Sequence, residues 1–362
     1  MKILIDLTPL SYHISGIERY ALCISEKMVK QDLKNEYLLV FRNEIFSSFI
    51  DLIDGNRVRA TVLYGNNKLL FREITLTRYV NSADADVKLF LAFTSPFFVK
   101  RNGVINTIHD VGIWDFPNAL DFLHRMYFRI GCMKSVSVSD VILTVSEFSK
   151  SRICDVFKID NQKVQVAYSA PSEKVVSQSN SFEYVKEKYH LPSKYIMSLS
   201  TMEPRKNQKL LFQSFSDVVD SVDYDLVLVG RVGWNIDEII SSYSANKRIH
   251  ITGFVDDEDV ACIYQNAMCF VFPSLYEGFG LPPIEALSLG TPVISSDAAS
   301  MPEVLRKQAT FFKSNDIKAL KKLLINLEDN LANMPHELDE FQKEQYGFDV
   351  SAKKILQIIS DI

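Results

Sequence analysis

Residues 269–296 read CFVFPSLYEGFGLPPIEALSLGTPVISS, and this stretch decides the fold. One apolar run, CFVF, stops at Pro273, and another, VISS, starts after Pro292. Between them Pro282 and Pro283 suit the first turn of a helix, and Gly290 suits the position just past its last turn. Strand, helix and strand in succession, with strands that are apolar throughout, predict a parallel sheet covered on both faces. Glu277, Gly278, Phe279 and Gly280 then form a loop that runs into a helix N-terminus. Unpaired N–H groups and the positive end of the dipole make such a place suitable for an anion such as phosphate, and the glycines let a ligand approach the backbone. Glu285 is expected in the first turn of the helix, so a hydroxyl-rich ligand would meet one carboxylate before the glycines and one after. An ordinary strand-turn-helix, with an acid complementing the dipole, gives the same pattern.

The alternation extends in both directions along the chain. KILIDL, YLLVF, LFLAF, VINTI, VILTV and VQVAY read as strands in the first half, and YIMSLS, DLVLVG and IHITGF precede the quoted stretch in the second. This predicts an α/β chain of two successive Rossmann-like units with parallel sheets. The polar segment from about Ala170 to Lys194 is expected to link them, giving domains at 1–171 and 172–342 before a charged stretch and a final amphipathic segment, FDVSAKKILQIISDI. In doubly wound sheets ligands gather at the carboxyl ends of the strands, so those loops are where chemistry is to be sought.

Composition sets the outer limits. The chain has 362 residues, of which 47% are hydrophobic and 23% charged, which excludes disorder and exceeds what one core usually fills. Its net charge of −5 offers no general attraction for a nucleic-acid backbone. Five cysteines without a CxxC pair fit a reducing cytosol. In MKILIDLTPL, Asp6 interrupts the apolar run and no small-residue cleavage site follows, so a strand is expected rather than a signal peptide. The longest uncharged stretch, Val260 to Tyr276, carries Gln265, Asn266, Pro273 and Ser274, and no transmembrane span is expected.

Further candidates follow other strands. In LSTMEPRKNQKLLFQSF, Arg205 and Lys206 stand just before a helix that Asn207 would cap. Cations there oppose the dipole by ~0.3–1 kcal/mol. Such local conflict is expected where an anion binds, although a solvated turn would look alike. After KILIDL, Gly16 precedes a helical pattern with Ile17, Tyr20, Ala21, Ile24 and Met28 on one side, another glycine-then-helix site. VINTI delivers His109 and Asp110, which would contact a sugar or its leaving group unless the histidine is structural. The acidic triads at 84–86, 223–225 and 257–259 read as turns and caps before strands and a helix rather than as metal ligands. FLHRMYFRIGCMKS places Phe122, Met126, Ile130 and Met133 on one face, for core packing or for an anionic membrane surface.

Together SGIER, TIHD, VILTVSEFSK, EPRKN, TGFV and EGFGLPPIEAL resemble the retaining glycosyltransferases of family 4, which have the GT-B fold. The strongest element is the E-x7-E motif from Glu277 to Glu285. The resemblance implies two facing Rossmann-like domains, the first binding an acceptor and the second a nucleotide-sugar donor, with a C-terminal helix from about residue 343 returning to the first. It implies no metal and no other cofactor. By position, Glu285 would bind the donor ribose and Glu277 the hexose, with Gly278, Phe279, Gly280 and Leu281 alongside. Arg205 and Lys206 would neutralise the diphosphate, Phe254 and Val255 would lie beside the base, Gly16 near the phosphates and His109 near the transferred sugar. Two departures stand out. Ser200 and Thr201 occupy a region where many relatives carry an arginine, and Ser15 replaces the first of two adjacent glycines.

The expected activity is therefore transfer of a hexose, mannose-like first, to a glycan or lipid-linked acceptor of a surface polysaccharide. It would take place in the cytoplasm, at the inner membrane face if the Phe122 run docks there. A non-catalytic nucleotide-sugar-binding subunit is the alternative. A dehydrogenase is disfavoured because no G-x-G-x-x-G follows the first strand.

Overall fold

The fold is taken from a computed structural model that describes every residue except 12–14, 118–121, 172, 174–175, 177–179 and 232–245. Part of the amino-terminal loop and part of the expected linker therefore lie outside the described residues. The chain divides into two compact units, Met1–Ala170 with Glu344–Ile362, and Pro171–Lys343.

In the first unit the strands are β1 Lys2–Asp6, β2 Glu36–Arg42, β3 Val58–Leu63, β4 Val87–Phe90, β5 Val104–Thr107, β6 Val141–Thr144 and β7 Val164–Val166. They form one parallel sheet ordered β3-β2-β1-β4-β5-β6-β7. The second unit holds β8 Tyr195–Leu199, β9 Asp225–Val229, β10 Ile249–Gly253, β11 Cys269–Phe272, β12 Val293–Ser296 and β13 Thr310–Phe312. Their order, β10-β9-β8-β11-β12-β13, repeats the same scheme. Both sheets reverse direction at one point, between β1 and β4 and between β8 and β11, and loops on either side of such a point become neighbours.

The strand interiors are buried on both faces, which explains their unbroken apolar runs. Leu4, Val40, Phe90 and Val104 share one cluster of the first unit. In the second unit Ile196, Leu226 and Val271 pack against Leu211 and Phe215 of the helix Gln208–Val218 and Leu320 and Leu324 of the helix Ile317–Ile325. Two strands, β3 and β13, were not expected. Each is the last strand at one edge of its sheet and is only partly buried, so its sequence carries a weaker apolar signal.

Two other expectations need correction. The linker segment contains the helix Phe182–Tyr189, whose Val185 is fully buried. Ser181 caps it through Tyr184 N–H, a signal overridden by the surrounding polar residues. In the helix Phe122–Val138, Gly131, Cys132, Ser135 and Val136 face inward. Phe122, Met126, Ile130 and Met133 are exposed, so core packing does not account for that stripe.

The chain end belongs to the first unit. The helix Phe348–Ser360 lies against the helix Gly16–Gln31, where Gln31 Nε2 donates to Asp349 Oδ1 at 2.6 Å and the Phe348 ring meets Tyr20. Ser351 Oγ donates to the Tyr168 carbonyl at 2.7 Å. No helix among the described residues is long and apolar enough to cross a membrane.

Candidate functional site

β8 and β11 are hydrogen-bonded neighbours at the point where the second sheet reverses, so the loops that follow them meet. The first of these loops closes with a 3₁₀ turn, Pro204–Lys206, and the second contains Glu277. Leu275 N–H donates to the Arg205 carbonyl at 2.9 Å and ties the two backbones together.

Arg205 uses its fork on both sides. Nε and Nη2 donate to Glu203 Oε1 at 3.1 and 2.8 Å, and Nη1 donates to the Tyr276 carbonyl at 2.6 Å and to Glu277 Oε2 at 3.3 Å. Lys206 Nζ donates to Glu277 Oε1 at 2.7 Å and lies 5.9 Å from the centre of the Phe272 ring. Ser274 Oγ donates to the same carboxylate oxygen at 2.6 Å, and Ser300 Oγ to the Glu277 carbonyl at 3.0 Å. Burial alone would raise the Glu277 pKa, but Lys206 and Arg205 outweigh it and hold the carboxyl below its ordinary value. Glu277 is thus an anion at neutral pH. The cations that seemed to conflict with a helix dipole are matched here by carboxylates.

Asn207 does not cap the following helix with its side chain. Its backbone is left-handed, φ 53°, and its Nδ2 donates to Asn315 Oδ1 at 3.4 Å. The helix after the glycine loop is Leu281–Ser288, with Gly280 in the N-cap position at φ 84°. Because the helix begins at Leu281 with Pro282 in its first turn, Glu285 falls in the second turn, not the first as expected. There it is buried and accepts from Tyr264 Oη at 3.4 Å. Gly278, Phe279 and Gly280 are buried as well.

Phe254 and Val255 follow β10. Val255 is buried, and the exposed Phe254 ring is covered by the Arg231 guanidinium, 4.6 Å from its centre. Gly230, next to that arginine, has φ 130°, and a Cβ there would lie 2.0 Å from the Ser200 carbonyl oxygen. Only glycine permits so close an approach of two strand-end loops.

The first unit repeats this arrangement at its own reversal point. The helix that follows β1 starts at Gly16, and its N-terminus is closed by a capping box. Ser15 N–H donates to Glu18 Oε2 at 2.7 Å, and Glu18 N–H donates to Ser15 Oγ at 3.5 Å. Glu18 also meets part of the positive helix end. His109, after β5, has Nε2 at 3.0 Å from the Leu91 carbonyl, just past β4, and its ring meets Tyr20 edge-on at 5.1 Å. A carbonyl partner requires Nε2–H, which leaves Nδ1 as the acceptor of the neutral ring. Burial lowers the His109 pKa, opposed by the Leu91 carbonyl and Asp110. Asp110 accepts from Gly112 N–H at 2.8 Å, so it serves its own turn.

The candidates therefore fall into groups: Arg205, Lys206 and Glu277 together; Glu285 with Tyr264; Phe254 with Arg231; and His109 with the helix of Gly16. Glu203, Ser274, Ser300, Tyr264 and Arg231 were not singled out from sequence. Glu203 had a visible signal, since an acid two residues before Arg205 is in reach of its guanidinium. The acidic triads serve the fold. Asp84 pairs with Lys2, Asp223 with Lys194, Asp225 with Arg248 and His250, and Asp259 with Lys188. Among the described residues no group of three His, Cys, Asp or Glu is placed to hold a metal ion.

Known proteins share this organisation. Residues 182–345 match the model of the family described as glycosyl transferases group 1. The O-antigen chain mannosyltransferase B of Escherichia coli is 30% identical over 353 residues, 91% of each chain. The O-antigen chain mannosyltransferase RfbU of Salmonella typhimurium is 28% identical over 69% of this chain and 67% of its own. Anabaena HepE, solved with UDP and glucose, aligns over 100% of both chains with a TM-score of 0.74 at 14% identity, a likeness of fold. With sequence similarity along nearly its whole length and two Rossmann-like domains of the GT-B fold, the chain belongs to the glycosyl transferases group 1 family.

Proposed function

We propose that the chain transfers a hexose, with mannose first and GDP-mannose as donor, to a glycan or lipid-linked acceptor during surface polysaccharide synthesis. The names of the O-antigen relatives support the sugar and the pathway. The observation that carries the chemistry is the Arg205, Lys206 and Glu277 cluster at the β8/β11 reversal point. Lys206 has three N–H donors and spends one on Glu277, so two remain for the donor's diphosphate. Glu277 has about four acceptor positions and gives three to Lys206, Ser274 and Arg205. The remaining one, on Oε2, suits a sugar hydroxyl. Glu285, held by Tyr264, binds the ribose hydroxyls.

Breaking the bond from the anomeric carbon to the phosphate oxygen leaves positive charge on the ring and negative charge on the nucleoside diphosphate. Lys206 and Arg205 stabilise that developing charge with amino-acid cations, so no divalent ion is required in this reading. The acceptor hydroxyl adds on the face the diphosphate leaves, and the departing phosphate oxygen takes its proton, so the configuration is retained. His109, neutral, offers Nδ1 to a sugar hydroxyl.

Incubation with GDP-mannose and a mannose-terminated acceptor in the presence of chelator tests this reading, with the one-bond coupling between the product's anomeric carbon and its proton read by NMR. The expected product is α-linked. A β-linked product, or turnover only when a divalent ion is restored, contradicts it. Thermal shift with GDP, UDP and ADP identifies the base, since a nucleotide at 100 times its Kd adds about 2.7 kcal/mol of stability.

A further inference from the structure

The first unit has a polar cluster of its own, built around a break in helical pitch. Between the helices Lys68–Leu70 and Thr77–Ser82, residues Phe71–Leu76 form a π turn, and Thr77 Oγ1 donates to the Arg72 carbonyl at 3.2 Å. Such turns are rare and frequent at functional sites. This one carries two consecutive charged side chains to the loop that follows β4. Arg72 Nη2 donates to the Thr94 carbonyl and, at 3.2 Å, to Thr94 Oγ1, while its Nε lies 3.4 Å from Glu73 Oε1. Glu73 accepts from Phe97 N–H at 2.8 Å and from Tyr127 Oη at 3.0 Å. Burial raises the pKa of Asp6, Tyr127 and Cys132, and Arg72 is the cation that opposes the rise in all three, so these groups surround it.

Two groups of the cluster have capacity left. Asp6, at the end of β1 and 3% exposed, accepts from Thr8 N–H at 3.0 Å and from Thr8 Oγ1 at 2.7 Å, both on Oδ1. Its Oδ2 has no hydrogen-bond partner among the described residues. A guanidinium has five N–H donors, and the pair on Arg72 Nη1 likewise has no partner among those residues. A buried carboxylate oxygen and a guanidinium nitrogen left open at the end of a parallel sheet call for a ligand that donates to one and accepts from the other. Sugar hydroxyls do both. The charge balance narrows the choice. Arg72 is already paired with Glu73, and Asp6 and Asp110 add further carboxylates, so a phosphate or a uronate would be repelled. In the second unit, by contrast, two cations converge on Glu277. We propose that Asp6 and Arg72 read the acceptor, taking an uncharged sugar residue and rejecting one that carries phosphate or carboxylate. Asp6 Oδ2 accepts from one of its hydroxyls, and Arg72 Nη1 donates to another. The inference rests on the transferase reading, in which the second unit takes the donor's diphosphate and leaves this cluster to the acceptor.

Saturation-transfer difference NMR on the full-length chain tests it without a donor, using octyl α-mannoside, its 6-phosphate and the matching mannuronide as probes. The mannoside is expected to bind, and the two charged probes to bind at least about tenfold more weakly. Asp6→Asn keeps an acceptor for Thr8 and should fold. It is expected to weaken mannoside binding at least about tenfold and to narrow the gap between the mannoside and its 6-phosphate, which a purely structural role would not do. Arg72→Gln should weaken the mannoside likewise, with the Kd for GDP unchanged in both variants. No mannoside binding by wild type, equal binding of neutral and charged probes, or undiminished binding by both variants overturns the proposal. Mannoside binding in a chain that does not bind GDP supports this proposal and counts against the donor assignment alone.

Discussion

Glu277 is a buried carboxylate whose ionisation depends on two named cations, and that dependence can be measured apart from catalysis. Its pKa is lowered in the folded chain, so its stabilisation is present above the unfolded value of about 4.5 and disappears as pH falls through the lower folded value. Lys206→Ala removes the nearer cation. The folded pKa then rises, and the variant should lose about 3–5 kcal/mol at neutral pH, the usual cost of breaking a buried pair. The deficit should shrink below about pH 4, where protonation removes the stabilisation from both proteins. Urea midpoints across pH check this, and turnover of the still-folded variant should fall at least tenfold. Glu285→Ala should reduce turnover as much, because it removes the carboxylate that accepts from Tyr264 Oη. His109 adds a second acid-side loss. Its folded pKa is lowered, so stability is complete above about 6.5 and falls as the unfolded state takes up a proton that the buried ring resists. His109→Gln should flatten the stability profile just below that pH.

Among the elements, the glycines that follow a strand and a helix separate packing from backbone conformation. Gly230 and Gly290 both have positive φ, but a Cβ on Gly230 would collide with the Ser200 carbonyl, whereas a Cβ on Gly290 would meet nothing within 4 Å. Gly290→Ala should therefore cost only the left-handed backbone term, about 1–2 kcal/mol. Gly230→Ala should lower the melting midpoint by clearly more, and scanning calorimetry of the two variants ranks them. Strands covered on both faces could be read directly from their apolar runs. β3 could not, because it is an edge strand whose partly buried positions are free to be polar, and β13 could not because it has only three residues. Glu285 was expected in the first turn because the two prolines suggested a start at Pro282 or Pro283, whereas the left-handed Gly280 caps a helix that starts earlier, at Leu281. Glu203 and Ser274 went unnoticed although their partners, Arg205 and Glu277, lie only two and three residues further on. Ser300 reaches the Glu277 carbonyl from 23 residues away, an adjacency that no local pattern encodes.

At the scale of the molecule, the chain forms two similar units, with the last helix belonging to the first. Deleting residues 347–362 removes Phe348 and Asp349 from the helix Gly16–Gln31 and takes the Phe348 ring away from the buried Tyr20. Calorimetry should show the first unit melting earlier and the second unchanged. The two-unit plan was legible because the strand runs repeat, whereas the outward stripe of the Phe122 helix was not, since periodicity shows that a face is apolar and leaves open what covers it. The central claim is that the second unit holds a nucleoside diphosphate through Arg205 and Lys206 without help from a divalent ion. Isothermal titration of GDP in the presence of EDTA, into wild type and Lys206→Ala, tests it most directly. The account predicts binding that survives the chelator and weakens at least tenfold in the variant. Binding lost on chelation, or equal in the two proteins, would contradict it.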